Sequence, residues 1–328
     1  MLSVLLFLSH LSLAIARERT TVLQSQEPTI PPHTSATDFR SLRAWQGDKA
    51  KSITTKYDDL GVVSQTVAHH NNFGFRITGK KKSSMPSERH LFLNGCSWTY
   101  GAGVDGTRTF AAHLEEKLES FRVVNMGARG GSPNEALYIW RNFSWEQVYP
   151  EKQGHLIYTL ISDHFERVTR TWRYLHWAPP FTPVYDENLA HFAPSFEFLD
   201  YKVAKFMRSM DIDKWWLRLT SHFNKGDPEK FNSVIVRYLR GIKAAYLKRF
   251  PQGRFVVTWM NITSPSLSPN ETASFLKALE AAGIEYWLPP PELKQPRNNY
   301  TIPRDGHPSE LAHEEYAQFL LQNLKGTR

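Results

Sequence analysis

The chain has 328 residues, 41% of them hydrophobic, and 40 Lys+Arg against 32 Asp+Glu for a net charge of +8 at pH 7. That length suits one core domain with additions, and the composition excludes a chain disordered throughout and a polytopic membrane protein. A single cysteine excludes an intrachain disulfide and a zinc cluster built on several thiolates. The basic residues are scattered and the one short run, Lys80-Lys81-Lys82, reads as a solvated loop, so no nucleic-acid partner is expected.

The N-terminus carries an apolar run from Val4 to Ala16 that ends in Ala14-Ile15-Ala16. The run is too short to span a bilayer and fits a cleaved signal peptide over residues 1–16. A secreted or secretory-lumen protein with no membrane span after cleavage is therefore expected. Four sequons, at Asn142, Asn261, Asn270 and Asn299, fit glycosylation along that route. Residues 17–56 read as a linker, because the stretch from Gln24 to Thr37 is rich in Pro, Ser, Thr and Gln and buries little.

From Tyr57 to the end, strand-like and helix-like segments alternate. His90–Asn94 is a short apolar run and reads as a buried strand. Phe110, Leu114, Leu118 and Phe121 follow helical spacing. Arg122–Asn125 reads as a second strand, running into a Gly-rich turn. Pro133 opens a helix through Trp140, and His155–Ile161 is a third strand. Phe231–Phe250 is a long amphipathic helix, Arg254–Met260 a fourth strand, and Ala273–Ala282 a helix capped by Gly283. Ile284–Trp287 is a fifth strand, and Pro308 starts the last helix. Such alternation predicts an α/β fold with a five-stranded parallel sheet covered on both faces. Residues 165–228 interrupt the rhythm with an aromatic-rich insertion after the third strand. It is expected to act as a lid or wall at the active face, with Trp172 and Trp177, together with Trp98, as substrate contacts.

In parallel sheets ligands bind beyond the carboxyl ends of the strands, and there the informative residues collect. Ser97 follows the first strand in Asn94-Gly95-Cys96-Ser97-Trp98-Thr99-Tyr100-Gly101-Ala102-Gly103. Asp305-Gly306-His307 lies near the C-terminus. A serine alcohol needs a base to become a nucleophile, and the imidazole needs a carboxylate to fix its tautomer. Asp305 and His307, two residues apart on an extended loop, project to one side. An ester carbonyl also needs donors for its developing oxyanion. Backbone amides at Ser97 and in the Gly127 turn stand at strand ends suited to that.

In these blocks the chain resembles the SGNH/GDSL-type hydrolases. The first block appears as Gly95-Cys96-Ser97 with Gly101 and Gly103, the second as Asn125, Gly127 and Gly130, and the last as Asp305 and His307. Tyr57-Asp-Asp-Leu-Gly61 and Asn72-Phe-Gly-Phe-Arg76 resemble the lead-in of exported members, so the likeness runs from Tyr57 to Leu324. It implies a flavodoxin-like three-layer α/β/α domain over residues 57–328. It also implies Ser97 as nucleophile, His307 as base, Asp305 as its orienter, and the Ser97 and Gly127 amides as oxyanion donors. Neither a metal nor an organic cofactor is implied. Three departures stand out. Cys96 replaces the usual Asp. The third block, which usually offers an Asn donor, is Ser162-Asp163-His164, leaving Asp163 or His164 at that place. The Asp–His spacing is one residue rather than two.

The expected activity is an exported serine esterase acting on a carboxylic ester through an acyl-enzyme, with an acetylated glycan as first substrate class and a lipid or other carboxylic ester, small-molecule or glycan, next. An O-acyltransferase using the same triad, and a non-catalytic glycan-binding protein on the same scaffold, are the alternatives.

Overall fold

The computed structural model describes residues 51–58, 61–71, 73–79, 87–169, 181–185, 190–194, 228–260, 269–290, 293, 299–303 and 305–326. The expected signal peptide, most of the expected linker, Trp172, Trp177 and Asn261 lie outside the described residues. Among the described residues no helix is long and apolar enough to cross a membrane, and no group of three His, Cys, Asp or Glu side chains is placed to hold a metal ion.

An antiparallel hairpin comes first, β1 (Lys51–Asp58) against β2 (Gly61–His69). The linker boundary expected at 56 therefore falls inside a strand. The β-branched run Ile53-Thr54-Thr55 is the signal for it, masked in the sequence by the polar composition just upstream.

The core is a five-stranded parallel sheet: β3 (Arg89–Asn94), β4 (Phe121–Asn125), β5 (Gln153–Leu160), β8 (Gln252–Trp259) and β9 (Glu285–Trp287). Its spatial order is β4-β3-β5-β8-β9, with every neighbouring pair parallel. Counted within the sheet this is order 2-1-3-4-5, the flavodoxin-like doubly wound arrangement. Its connections switch sides at β3, between β4 and β5. A smaller antiparallel pair, β6 (Phe181–Tyr185) and β7 (Ala190–Pro194), belongs to the expected insertion.

Alternation along the strands sends side chains to two cores. Phe92, Val124, Leu156, Tyr158 and Val257 face α3 (Pro133–Asn142), α6 (Pro228–Arg249) and α7 (Pro269–Ala281). Leu91, Leu93, Val123, Ile157 and Val256 face α2 (Phe110–Lys117) and α8 (Glu310–Lys325). These residues are almost wholly buried, each contributing about 2 kcal/mol by removal from water. The three layers explain why the strands read as continuous apolar runs rather than as alternating ones.

Two boundaries differ from the sequence reading. Phe121 begins β4 rather than closing α2, because the Ser120 carbonyl accepts the amides of Glu88 and Arg89 and draws the chain into the sheet. The last helix starts at Glu310, capped by the Ser309 hydroxyl accepting from the Ala312 amide, while Pro308 bridges back to Thr301.

Candidate active site

Three strand ends and one loop build the site. The first is the turn after β3. Gly95 (φ 156°) leads into the short helix α1 (Ser97–Tyr100), which places Ser97 at its first position and Gly101 (φ 80°) at its end. A Cβ on Gly95 would meet the Thr99 hydroxyl at 2.1 Å and the Thr159 carbonyl at 2.9 Å, so the turn is tight enough to require glycine.

The C-terminal end of α1 is held from outside the sheet. Arg76, 5% exposed, donates to the carbonyls of Tyr100, Gly101 and Val104, each at 2.6 Å. Its backbone bridges to Asn125 at the end of β4, and its guanidinium lies 4.7 Å from the centre of the Tyr100 ring. Burial lowers its pKa, with Tyr100 and Asp105 pulling the other way. His70 bonds the Tyr100 hydroxyl through Nε2 at 3.1 Å.

The loop before α8 supplies the other two groups. Ile302 N–H donates to the His307 carbonyl at 2.9 Å and Ser309 N–H to the Tyr300 carbonyl at 2.9 Å, closing a hairpin around Asp305 and His307. Tyr300 is fully buried at its base, its hydroxyl donating to Glu315 on α8. At the tip, His307 Nδ1 lies 3.0 Å from Asp305 Oδ1, and His307 Nε2 lies 2.9 Å from Ser97 Oγ. Residues 210 positions apart in the chain thus form one continuous chain Ser97–His307–Asp305. The Asp305 and His307 side chains are 14% and 27% exposed and Ser97 is 8% exposed. The group is reachable from solvent yet largely shielded.

The remaining expected residues are arranged differently. Gly127 lies against α1, where a Cβ would stand 2.1 Å from the Tyr100 amide nitrogen. Its own N–H donates to Asn125 Oδ1 at 2.9 Å, so this amide is occupied and does not serve as an oxyanion donor here. Gly130, quoted in the same block, is partly exposed at φ 68° in the turn closed by Gly131 N–H to the Ala128 carbonyl. Among the described residues neither the Gly130 N–H nor the Ser97 N–H is engaged in a hydrogen bond. The turn is tied to the nucleophile's segment by Ala128 N–H donating to the Gly95 carbonyl at 3.1 Å.

His164 is fully buried in α5 (Asp163–Thr169), with Nδ1 accepting from the Ile161 amide at 3.4 Å and its ring edge-on to Tyr158. Burial, reinforced by Arg167, keeps it neutral. It faces the core and is not presented to the solvent-facing side of Ser97, which corrects the expectation of an imidazole donor. Asp163 is the outward member, its side chain 43% exposed and 3.5 Å from Arg167. Trp98 is half-buried at the edge of the core that contains Cys96. The sequons at Asn142, Asn270 and Asn299 are exposed.

One further residue braces the turns around Ser97. Arg167, 4% exposed, donates to the Gly131 carbonyl at 2.6 Å and to the Cys96 thiol. Cys96 is itself fully buried, and burial pushes its thiol pKa up. The signal available for Arg167 was its i+4 position after Asp163 on a short helix following a strand end.

No family model and no curated protein matches the chain. Solved structures do resemble it. One is a carbohydrate esterase family 2 enzyme with a carbohydrate-binding domain from Corynascus thermopiles (Myceliophthora fergusii), at 11% identity over 81% of this chain and 71% of that one, TM-score 0.44. Another is the acetyl xylan esterase Est2A from Butyrivibrio proteoclasticus, at 12% identity over 76% and 67%, TM-score 0.42. A third is a lipolytic G-D-S-L family protein from Veillonella parvula, at 10% identity over 72% and 98%, TM-score 0.41. At these identities and scores the functional argument rests on the geometry of the site.

Proposed function

We propose that the protein is a serine ester hydrolase in which Ser97, His307 and Asp305 act as a triad. The single observation that carries this reading is the chain of two hydrogen bonds, 2.9 Å from Ser97 Oγ to His307 Nε2 and 3.0 Å from His307 Nδ1 to Asp305 Oδ1. Asp305 holds the tautomer with the proton on Nδ1, which leaves Nε2 free to take the serine proton. Ser97 Oγ then attacks the ester carbonyl carbon and a tetrahedral oxyanion forms. The Ser97 and Gly130 amides are the donors we assign to it. His307 passes the proton to the departing alkoxide, leaving an acyl-serine. Water, deprotonated by His307, releases the acid and regenerates Ser97.

The substrate class we assign is a carbohydrate ester, above all an acetylated glycan. It is supported by the N-terminal apolar run, the four sequons and the aromatic-rich stretch at 165–228, and on the first two of these we assign the enzyme to the secretory pathway or the outside of the cell. A non-catalytic glycan-binding role draws on one observation, that in the Ser162–His164 segment the acidic Asp163 is exposed while His164 is buried. The test is turnover of acetylated sugars by wild type and by Ser97→Ala. Acetate release abolished by the substitution supports hydrolysis. Glycan binding without release in either form favours the binding protein.

A further inference from the structure

Resting on the hydrolase reading, we propose that Arg167 is the electrostatic stabiliser of the oxyanion at Ser97. Its buried charge takes the place of a side-chain donor and overrides the opposing charge of Asp163.

Arg167 comes from α5, just beyond the carboxyl end of β5, and its guanidinium reaches beneath the two neighbouring strand ends. One nitrogen bonds the Gly131 carbonyl at 2.6 Å, in the turn that carries the Gly130 amide. The group also bonds the thiol of Cys96, the residue that precedes the nucleophile. Gly131 itself abuts this segment, since a Cβ on it would stand 3.1 Å from the Gly95 carbonyl. The cation therefore stands under the junction of the two backbone segments that supply the assigned donors.

The balance of charge there is positive. Arg167 is 4% exposed, whereas the Asp163 side chain, 3.5 Å away, is 43% exposed. A buried charge acts through a poorly screening interior, while a hydrated carboxylate is screened. At the Cys96 thiol, the pull of Arg167 toward the anionic form exceeds the push of Asp163 against it. An oxyanion on the next residue experiences the same pair of charges. A buried unit charge near a developing oxyanion, at an effective dielectric of ~20, changes a rate on the order of 10- to 50-fold.

A structural ion pair and an electrostatic role predict opposite signs for one substitution. If Arg167 only braces the turns and Asp163 only holds Arg167, removing either lowers activity. If the field acts on the transition state, removing the carboxylate raises it. The experiment measures kcat and KM for 4-nitrophenyl acetate, with fluorophosphonate labelling rates, in wild type, Arg167→Met, Arg167→Lys and Asp163→Asn, each checked by thermal melting.

The expected result is a kcat about 10- to 50-fold lower in Arg167→Met, about threefold or less lower in Arg167→Lys, and about two- to threefold higher in Asp163→Asn with KM unchanged. Should Arg167→Met fail to fold, the Lys and Asn variants still decide. A lower kcat in Asp163→Asn, or a Lys variant no better than Met at equal folding, overturns the inference while the labelled wild type leaves the hydrolase reading standing. An unlabelled and inactive wild type overturns that reading and the inference with it.

Discussion

Replacing Arg76 with Met keeps most of the apolar stem of the side chain and deletes every donor. Three buried carbonyls, of Tyr100, Gly101 and Val104, lose charged partners at 2.6 Å. A hydrogen bond to a charged group contributes about 1.5–3 kcal/mol, so the gross loss is roughly 5–9 kcal/mol. Relief from burying a guanidinium offsets several kcal/mol of that. The net destabilisation expected is about 2–4 kcal/mol. Urea unfolding followed by tryptophan fluorescence measures it. The loss concentrates at the end of α1, so the activity of the remaining folded protein suffers too. A displacement of Ser97 by about 1 Å lowers kcat about 100-fold, with a smaller effect on KM. Arg76→Lys keeps the charge but cannot reach three carbonyls at once, and should fall between. Stability within about 0.5 kcal/mol of wild type, with kcat unchanged, would refute the claim that Arg76 holds the nucleophile's turn.

Asp305→Asn leaves the loop folded but removes the acceptor that fixes the His307 tautomer. Turnover of a short ester should drop about 10²–10⁴-fold with little change in the melting temperature, and a drop of less than fivefold contradicts the role. Gly95→Ala drives a methyl into Thr99 and the Thr159 carbonyl. It should cost at least about 3 kcal/mol in unfolding free energy, and a wild-type denaturation midpoint would show the turn to be looser than described. Burial holds His90 and His155 at pKa values of about 4 and His313 at about 3. These values lie below the unfolded value of about 6.5. The unfolded chain therefore binds more protons across that interval. The contribution of the neutral imidazoles is complete above pH ~6.5 and is lost as pH falls toward ~4, with stability dropping by several kcal/mol. Denaturation midpoints that stay flat from pH 7 to 4.5 would contradict this.

The sheet was legible because its strands are apolar on both faces. His90–Asn94, His155–Ile161 and Arg254–Met260 each fall within two residues of the observed strands. The hairpin Lys51–His69 was not, because its short β-branched run follows a Pro- and Ser-rich stretch that dominates the composition. Ser97, Asp305 and His307 could be read from residue type and from their places after strands, and the structure brings them within hydrogen-bonding distance. The donors were harder to read. Whether Gly127 or Gly130 presents its amide depends on which one Asn125 engages, and a spacing pattern does not encode that. His164 was the favoured donor over Asp163, but α5 sends Asp163 outward and His164 inward, and the start of that helix sets the choice. The contacts that Arg76 and Arg167 make could not be read from the sequence. Only the packing reveals that both are buried against backbone carbonyls around α1.

The central claim is an activated Ser97, and labelling by a fluorophosphonate probe tests it most directly. The account predicts covalent labelling of wild type, with the adduct mapped by mass spectrometry to the peptide containing Ser97. It predicts loss of labelling in both Ser97→Ala and His307→Ala. A folded wild-type protein that takes up no label, or one labelled equally well in Ser97→Ala, would contradict it.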